Sequence, residues 1–219
     1  MKPNAPTPDS GTPPAGTAPL LIVISAPSGG GKTTLCQALL AAHPDRITRA
    51  ITCTTRAPRP GETDGVDYYF LDAATFLQRV QAGHFLEHAT VFGNSYGTLK
   101  SEVLGKLRQG QDVLLNIDVQ GAAAVRAQAE KDPDLRAAVL SVFLTPPSLT
   151  ILEARLRKRA TDAEAVIQKR LGTARQELAQ WRHFDYLLLS SSVAEDLRRM
   201  QVIIESERMR VARAVAPEF

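Results

Sequence analysis

Apolar positions in this chain fall into two alternating patterns. Leu20 to Ile24 form an unbroken apolar run, the mark of a strand covered on both faces. A glycine-rich turn follows. Beyond it Leu35, Leu39 and Ala42 recur at helical spacing, and His43-Pro44 marks the helix end. Strand-like apolar runs return at Asp112 to Ile117, Leu140 to Leu144 and Tyr186 to Leu189. Helical spacing returns from Asp72 to Ala82, stopped by Gly83, and along Leu99, Val103, Leu104 and Leu107, stopped by Gly110. Further helices are expected from Gln120, after an N-capping Ser148, and from a capping Asp162 past Arg170 toward Trp181. A long amphipathic helix is expected from Val193 to Ala214. Arg46 to Phe70, rich in β-branched and turn-forming residues, predicts short strands and loops. Phe85-Leu86-Glu87 reads as briefly extended, and Phe92 to Thr98 as a turn leading into the next helix. This alternation predicts an α/β fold with a parallel sheet and helices on both faces.

Composition narrows the picture. The 219 residues suffice for one domain with inserted subdomains, and 44% hydrophobic with 22% charged content is ordinary for a soluble chain. Residues 1–19 hold six prolines among Thr, Gly, Ala and Ser, and predict a disordered tail. A net charge of +3 is mildly basic. No dense Lys/Arg run interleaved with aromatics accompanies it, so arginines serving nucleotide phosphates explain the balance better than a nucleic-acid partner. Cys36 and Cys53 stand in no metal-ligand spacing and suit a reducing compartment; Cys36 falls on the first helix as core packing. No apolar run approaches the ~18 residues that span a membrane, and the N-terminus lacks a signal core.

The chemistry concentrates between the first strand and the first helix, in Ala26-Pro27-Ser28-Gly29-Gly30-Gly31-Lys32-Thr33-Thr34. Strand, glycine loop and helix in that order make a phosphate cradle. Successive backbone N–H groups turn inward where few Cβ atoms obstruct them, and the helix N-terminus adds partial positive charge. Lys32 would reach the β- and γ-phosphates, and the Thr33 hydroxyl would ligate Mg²⁺. Ala26 stands where the strict pattern has its first glycine. Asp118, at the C-terminal end of a buried strand, reads either as the acidic partner of a phosphate-bound Mg²⁺ or as a helix N-cap. Arg56 and Arg59, three apart in a proline-rich stretch, would share one side as a phosphate clamp; their spacing alone fits solvated surface arginines as well. The arginines after Ser148 likewise read as a solvated helix face.

Together these segments resemble the guanylate kinases, nucleoside monophosphate kinases acting on GMP. The resemblance spans roughly residues 20 to 213 and rests on APSGGGKTT, TTRAPRPGETDGVDYYF, GNSYGT, IDVQG, and PPS followed by LRKRATD and VIQKRL, in that order. It implies a P-loop core with two mobile inserts, one at 52–100 for GMP and one at 155–172 closing as a lid over ATP, with 214–219 as a C-terminal tail. It implies that Arg56, Arg59 and Tyr68 hold the GMP phosphate, with Tyr96 beside them. Glu87 would read guanine, with Thr52 and Thr98 as hydroxyls for O6 and Asn116 near guanine and metal. Arg155, Arg159 and Arg170 would approach the ATP phosphates or adenine, serving catalysis with Lys32 and Arg56. The reaction implied is ATP + GMP giving ADP + GDP, with Mg²⁺ bound through Thr33 and Asp118. The setting implied is cytoplasmic, with ATP and GMP as the partners, no nucleic acid or membrane, and homo-oligomerisation left open. The chain departs from the family pattern at Ala26, at Asn116 for an acidic residue, at Ala160 for a lid glycine, and at Ser190-Ser191-Ser192 for an Asn-Asp-Asp run. Three competing readings are a ribose bisphosphate kinase relative, a non-catalytic binding module of the same fold, and a regulatory P-loop ATPase. The intact phosphate loop, the TTRAPRPGE stretch and Glu87 argue against them.

Overall fold

The computed structural model describes residues 18–91, 93–158 and 164–214, without the side chains of Lys158 and Ala165. Most of the expected N-terminal tail, and with it Arg159, Ala160 and Asp162 of the expected lid, lies outside these residues. In chain order the elements are Leu21–Ser25 (β1), Lys32–Ala42 (α1), Ile47–Arg49 (β2), Thr52–Thr54 (β3), Tyr69–Phe70 (β4), Ala73–Gln81 (α2), Phe85–Val91 (β5) and Asn94–Leu99 (β6). Then come Lys100–Arg108 (α3), Asp112–Asn116 (β7), Val119–Ala129 (α4), Pro133–Ala138 (α5), Val139–Thr145 (β8), Leu149–Lys158 (α6), Glu164–Leu178 (α7), Tyr186–Leu189 (β9) and Val193–Arg208 (α8).

Five strands form a parallel sheet in the order β2-β7-β1-β8-β9. The central position of β1 explains its unbroken apolar run, because successive side chains enter different cores. Leu20, Ile22 and Ile24 join Leu35 and Leu39 of α1 and Met200 and Ile204 of α8. Leu21 and Val23 join Val103 of α3, Val125 of α4 and Leu135 of α5. Because β1 is central, the loop that follows it opens at the carboxyl edge of the sheet, where open α/β sheets bind ligands.

A second sheet, ordered β4-β3-β6-β5, has its own core, in which Phe76 stacks on Phe85 at 4.5 Å above Cys53. This sheet corrects one expectation: residues 94–99 are a strand paired antiparallel with β5 and β3, not a turn. Strand alternation was invisible there because one face carries Tyr96 and Thr98 instead of apolar residues. β5 likewise runs on to Val91. Helices α6 and α7 pack on each other through Leu152, Leu156, Ile167, Leu171 and Ala174.

The last helix ends at Arg208, short of the expected Ala214. The chain turns back because Arg210 and Arg213 both pair with buried Glu207, and Arg213 also donates to the carbonyls of Ala138 and Val139. The short α5, capped by Asp132 with Pro133 in its first turn, was not anticipated. Among the described residues, no helix is long and apolar enough to cross a membrane.

Opposite the ligand edge, Asp112 is 2% exposed and joins three parts of the chain. Its Oδ1 accepts from Leu20 N–H at 2.8 Å, and its Oδ2 pairs with Arg208 and, at 3.5 Å, with Arg46. Asp112→Asn leaves two arginines facing each other without their carboxylate. Breaking a buried ion pair costs about 3–5 kcal/mol, or a fall in Tm of roughly 10 °C in a chain of this size. Urea unfolding followed by circular dichroism checks this, and a midpoint within experimental error of wild type would refute it.

Candidate active site

The phosphate loop is built from local constraints. Gly31, at φ 99°, is the N-cap of α1 and offers no side chain to its first-turn N–H groups. Asp72 and Asp118 do cap α2 and α4. The first turn of α1 thus keeps its amides for an outside anion. Gly30 answers the departure at Ala26: a Cβ there would lie 2.9 Å from both the Ala26 methyl and the Pro27 carbonyl. The methyl of Ala26 is accommodated because position 30 has none. Thr33 and Thr34 are exposed on the open side of the loop.

Lys32 Nζ donates to the Ile117 carbonyl at 2.6 Å. This bond ties the loop to the segment that leaves β7. Burial draws the Lys32 pKa below the ordinary lysine range, opposed by Asp118 and Glu177. Arg155 of α6 folds over the same loop. Its Nη1 donates to Ser190 Oγ at 2.8 Å and to the Gly30 carbonyl at 3.5 Å.

The second sheet forms the other wall. Thr98 of β6 registers with Thr52 of β3 on one side and with Glu87 of β5 on the other, so the three lie side by side on adjacent strands. Thr98 Oγ1 donates to Glu87 Oε1 at 2.7 Å. Glu87 is 7% exposed, and burial, with Asp118 adding, raises its carboxyl above the usual range against the Thr98 hydrogen bond. The other carboxylate oxygen faces the start of α4. A Cβ on Gly121 would come within 3.2 Å of Glu87 Oε2, so glycine is what allows this approach. Two residues along β6, on the same face, Tyr96 stands edge-on to Tyr68 at 6.3 Å. The Arg56 guanidinium lies 5.4 Å from the Tyr68 ring.

A family model described as guanylate kinase matches residues 19–207. A guanylate kinase of Alcanivorax borkumensis is 47% identical over 199 residues, 90% of this chain and 91% of that one. Another, from Idiomarina loihiensis, is 46% identical over 192 residues, 87% and 88% of the two chains. The crystal structure of guanylate kinase from Anaplasma phagocytophilum superposes with a TM-score of 0.68 at 32% identity, covering 91% of this chain and 92% of that one. This chain belongs to the guanylate kinase family.

Membership of the guanylate kinase family makes the placement of the expected residues informative. Thr52, Glu87, Tyr96 and Thr98 converge on one sheet, and Arg56 and Tyr68 meet beside them. Arg56 and Arg59 are joined by a residue that spacing did not single out. Glu62 accepts from Arg56 Nη2 at 2.8 and 2.9 Å and from Arg59 N–H at 2.7 Å. Thr98 has a partner within the protein as well, its hydroxyl donating to Glu87. Asn116 is exposed at the end of β7, opposite Ile24. Arg170 lies on α7, whereas Arg159 is outside the described residues.

Of the two readings of Asp118, the structure shows the N-cap. Its Oδ1 caps α4 by accepting from Gly121 N–H at 2.8 Å, and its charge acts on Lys32, Glu87 and Glu177. Hydroxyl and carboxylate oxygens beside a phosphate cradle are hard donors of the kind Mg²⁺ prefers, so Thr33 and Asp118 fit that ion. Glu177 was missed, and Ser190 was marked only as a departure from the family pattern. Ser190 is buried and its hydroxyl accepts from Arg155, so the first serine of the Ser190-Ser191-Ser192 run holds an arginine on the loop. Neither residue carries a local signal, because each meets its partner only through folding.

Proposed function

We propose that this protein transfers the γ-phosphoryl group of ATP to GMP, giving ADP and GDP. The observation that carries the reading is the pairing of two sites across one short segment. The phosphate loop is joined through Lys32 to Ile117, and the next residue, Asp118, caps α4 at Gly121, the glycine that lies against the buried Glu87. A carboxylate accepts from both N1–H and the exocyclic amine of guanine, whereas adenine presents an acceptor at N1. Thr98 would orient that carboxylate, with Thr52 beside it. Arg56, Arg59, Tyr68 and Tyr96 would bind the GMP phosphate, with Glu62 tying the Arg56 guanidinium to the backbone N–H of Arg59.

In the reaction an oxygen of the GMP phosphate forms the new bond to the γ-phosphorus, and the bond to the oxygen bridging the β- and γ-phosphates breaks. The attacking oxygen is already anionic, so no strong general base is required. Alignment and charge neutralisation remain, supplied by the loop amides, Lys32, Arg155 and, from the lid side, Arg159 and Arg170. Thr33 and Asp118 would hold Mg²⁺, which when bound would supply further neutralisation of the charge that develops in the transfer. The inserts at 52–100 and 155–172 would close to exclude water as a competing acceptor. The resemblance to the guanylate kinases implies a cytoplasmic setting.

A coupled ADP-release assay with ATP and Mg²⁺ tests the proposal against GMP, AMP, UMP, CMP and ribose bisphosphate. Turnover with GMP at least about 10³-fold above the others in kcat/KM is expected for a base read by hydrogen bonds. Preferred turnover of another acceptor would remove Glu87 from base recognition, and none with any acceptor would leave a binding module.

A further inference from the structure

The phosphate side of the site contains a carboxylate for which the reaction as derived has no use. Glu177 lies on α7, remote in sequence from the loop, yet its Oε2 accepts from Ser28 N–H at 3.3 Å. The group is half-buried. Burial raises its pKa, the Ser28 amide and Lys32 pull it down, and Asp118 pushes it up. The loop amide of Ser28 thus holds a protein carboxylate in the manner in which such loops hold phosphate oxygens. Near the one lysine of the loop stand two carboxylates, Asp118 and Glu177.

That arrangement sets a condition on what enters. A triphosphate without a cation brings several negative charges against two fixed ones, and this repulsion sets itself against the attraction of Lys32, Arg155 and the loop amides in a partly desolvated site. A divalent cation bound to the triphosphate would offset that repulsion. We propose that Glu177 is a specificity-determining residue for the charge state of the phosphate donor: its carboxylate, held on the Ser28 amide beside Lys32 and Asp118, disfavours metal-free ATP and admits ATP once a divalent cation is bound to it. The proposal rests on the reading of the phosphate loop as the ATP site. It also gives α7 a part in donor recognition through a residue outside the arginines expected there. By linkage, the same carboxylate makes the protein's affinity for the cation depend on ATP, and by the same factor.

The test is isothermal titration calorimetry of ATP into wild type, E177Q, E177A and E177D, each with EDTA and with excess Mg²⁺. E177Q keeps the shape and an acceptor for Ser28 N–H but removes the charge. It is expected to bind metal-free ATP about tenfold more tightly while its affinity with Mg²⁺ stays within about threefold, so that the enhancement by Mg²⁺ shrinks. E177A must shrink the enhancement as well, and E177D, which retains the charge, must keep it near the wild-type ratio. An unchanged ratio in E177Q and E177A overturns the proposal. So does an equal loss of both affinities, which would make Glu177 a structural support of the loop. Wild-type protein that fails to bind ATP even with Mg²⁺ would instead overturn the assignment of the loop, an outcome distinct from the first two.

Discussion

Lys32→Ala is expected to lower kcat by about 10³-fold while the protein stays folded. Removing a single preorganised donor from a developing charge typically costs about 10²- to 10³-fold, and Lys32 is the loop's own cation, beside two carboxylates. Its bond to the Ile117 carbonyl, at 2.6 Å, places the ammonium at the junction between the phosphate loop and the segment carrying Asp118. Loss of that bond costs stability of only about 1 kcal/mol, so the effect falls on turnover and not on folding. Lys32→Arg is not expected to restore activity, because a planar, longer guanidinium cannot take the place of a compact ammonium between loop and strand. Steady-state kinetics at saturating ATP and GMP, with a thermal melt of each variant, decide the matter. A kcat within about tenfold of wild type would remove Lys32 from the chemistry.

Glu87→Gln is expected to lower kcat/KM for GMP by about 10²- to 10³-fold and to leave the KM for ATP within about twofold. The amide keeps one acceptor and turns a donor toward guanine's own donors. Burial holds the wild-type carboxyl above the usual pKa, so the ionised form is destabilised in the folded protein at neutral pH. A neutral glutamine removes that penalty, and the variant should unfold no more easily than wild type. The same raised pKa has a kinetic signature. As pH falls toward it, wild-type kcat/KM for GMP declines earlier than an ordinary glutamate would cause, whereas E87Q stays flat over that range. Equal losses for GMP and ATP would show that Glu87 does not read the base.

Residues near one another in the chain were legible before folding. The run from Leu20 to Lys32 declared strand, loop and helix because each depends on local pattern, and glycine is needed wherever amides must converge. The role of Asp118 as an N-cap was legible for the same reason, since Gly121 lies one helical turn away. Strand β6 was not legible. Asn94 to Thr98 has no apolar alternation, because one of its faces lines the cleft.

The amino-acid sequence by itself determined the sheet's buried strands, the phosphate loop and, through several ordered motifs, the family. These are statements about neighbours in the chain, where periodicity and backbone freedom suffice. Tertiary structure alone decided which groups meet across the cleft. It set Thr52, Thr98 and Glu87 in register on three strands, joined Arg56 to Arg59 through Glu62, gave Arg155 to Ser190, and laid Glu177 on the amide of Ser28. Apart from the local loop around Glu62, those contacts depend on sheet register or on helix packing, and a hydroxyl or carboxylate in a sequence does not declare which distant partner folding will bring to it.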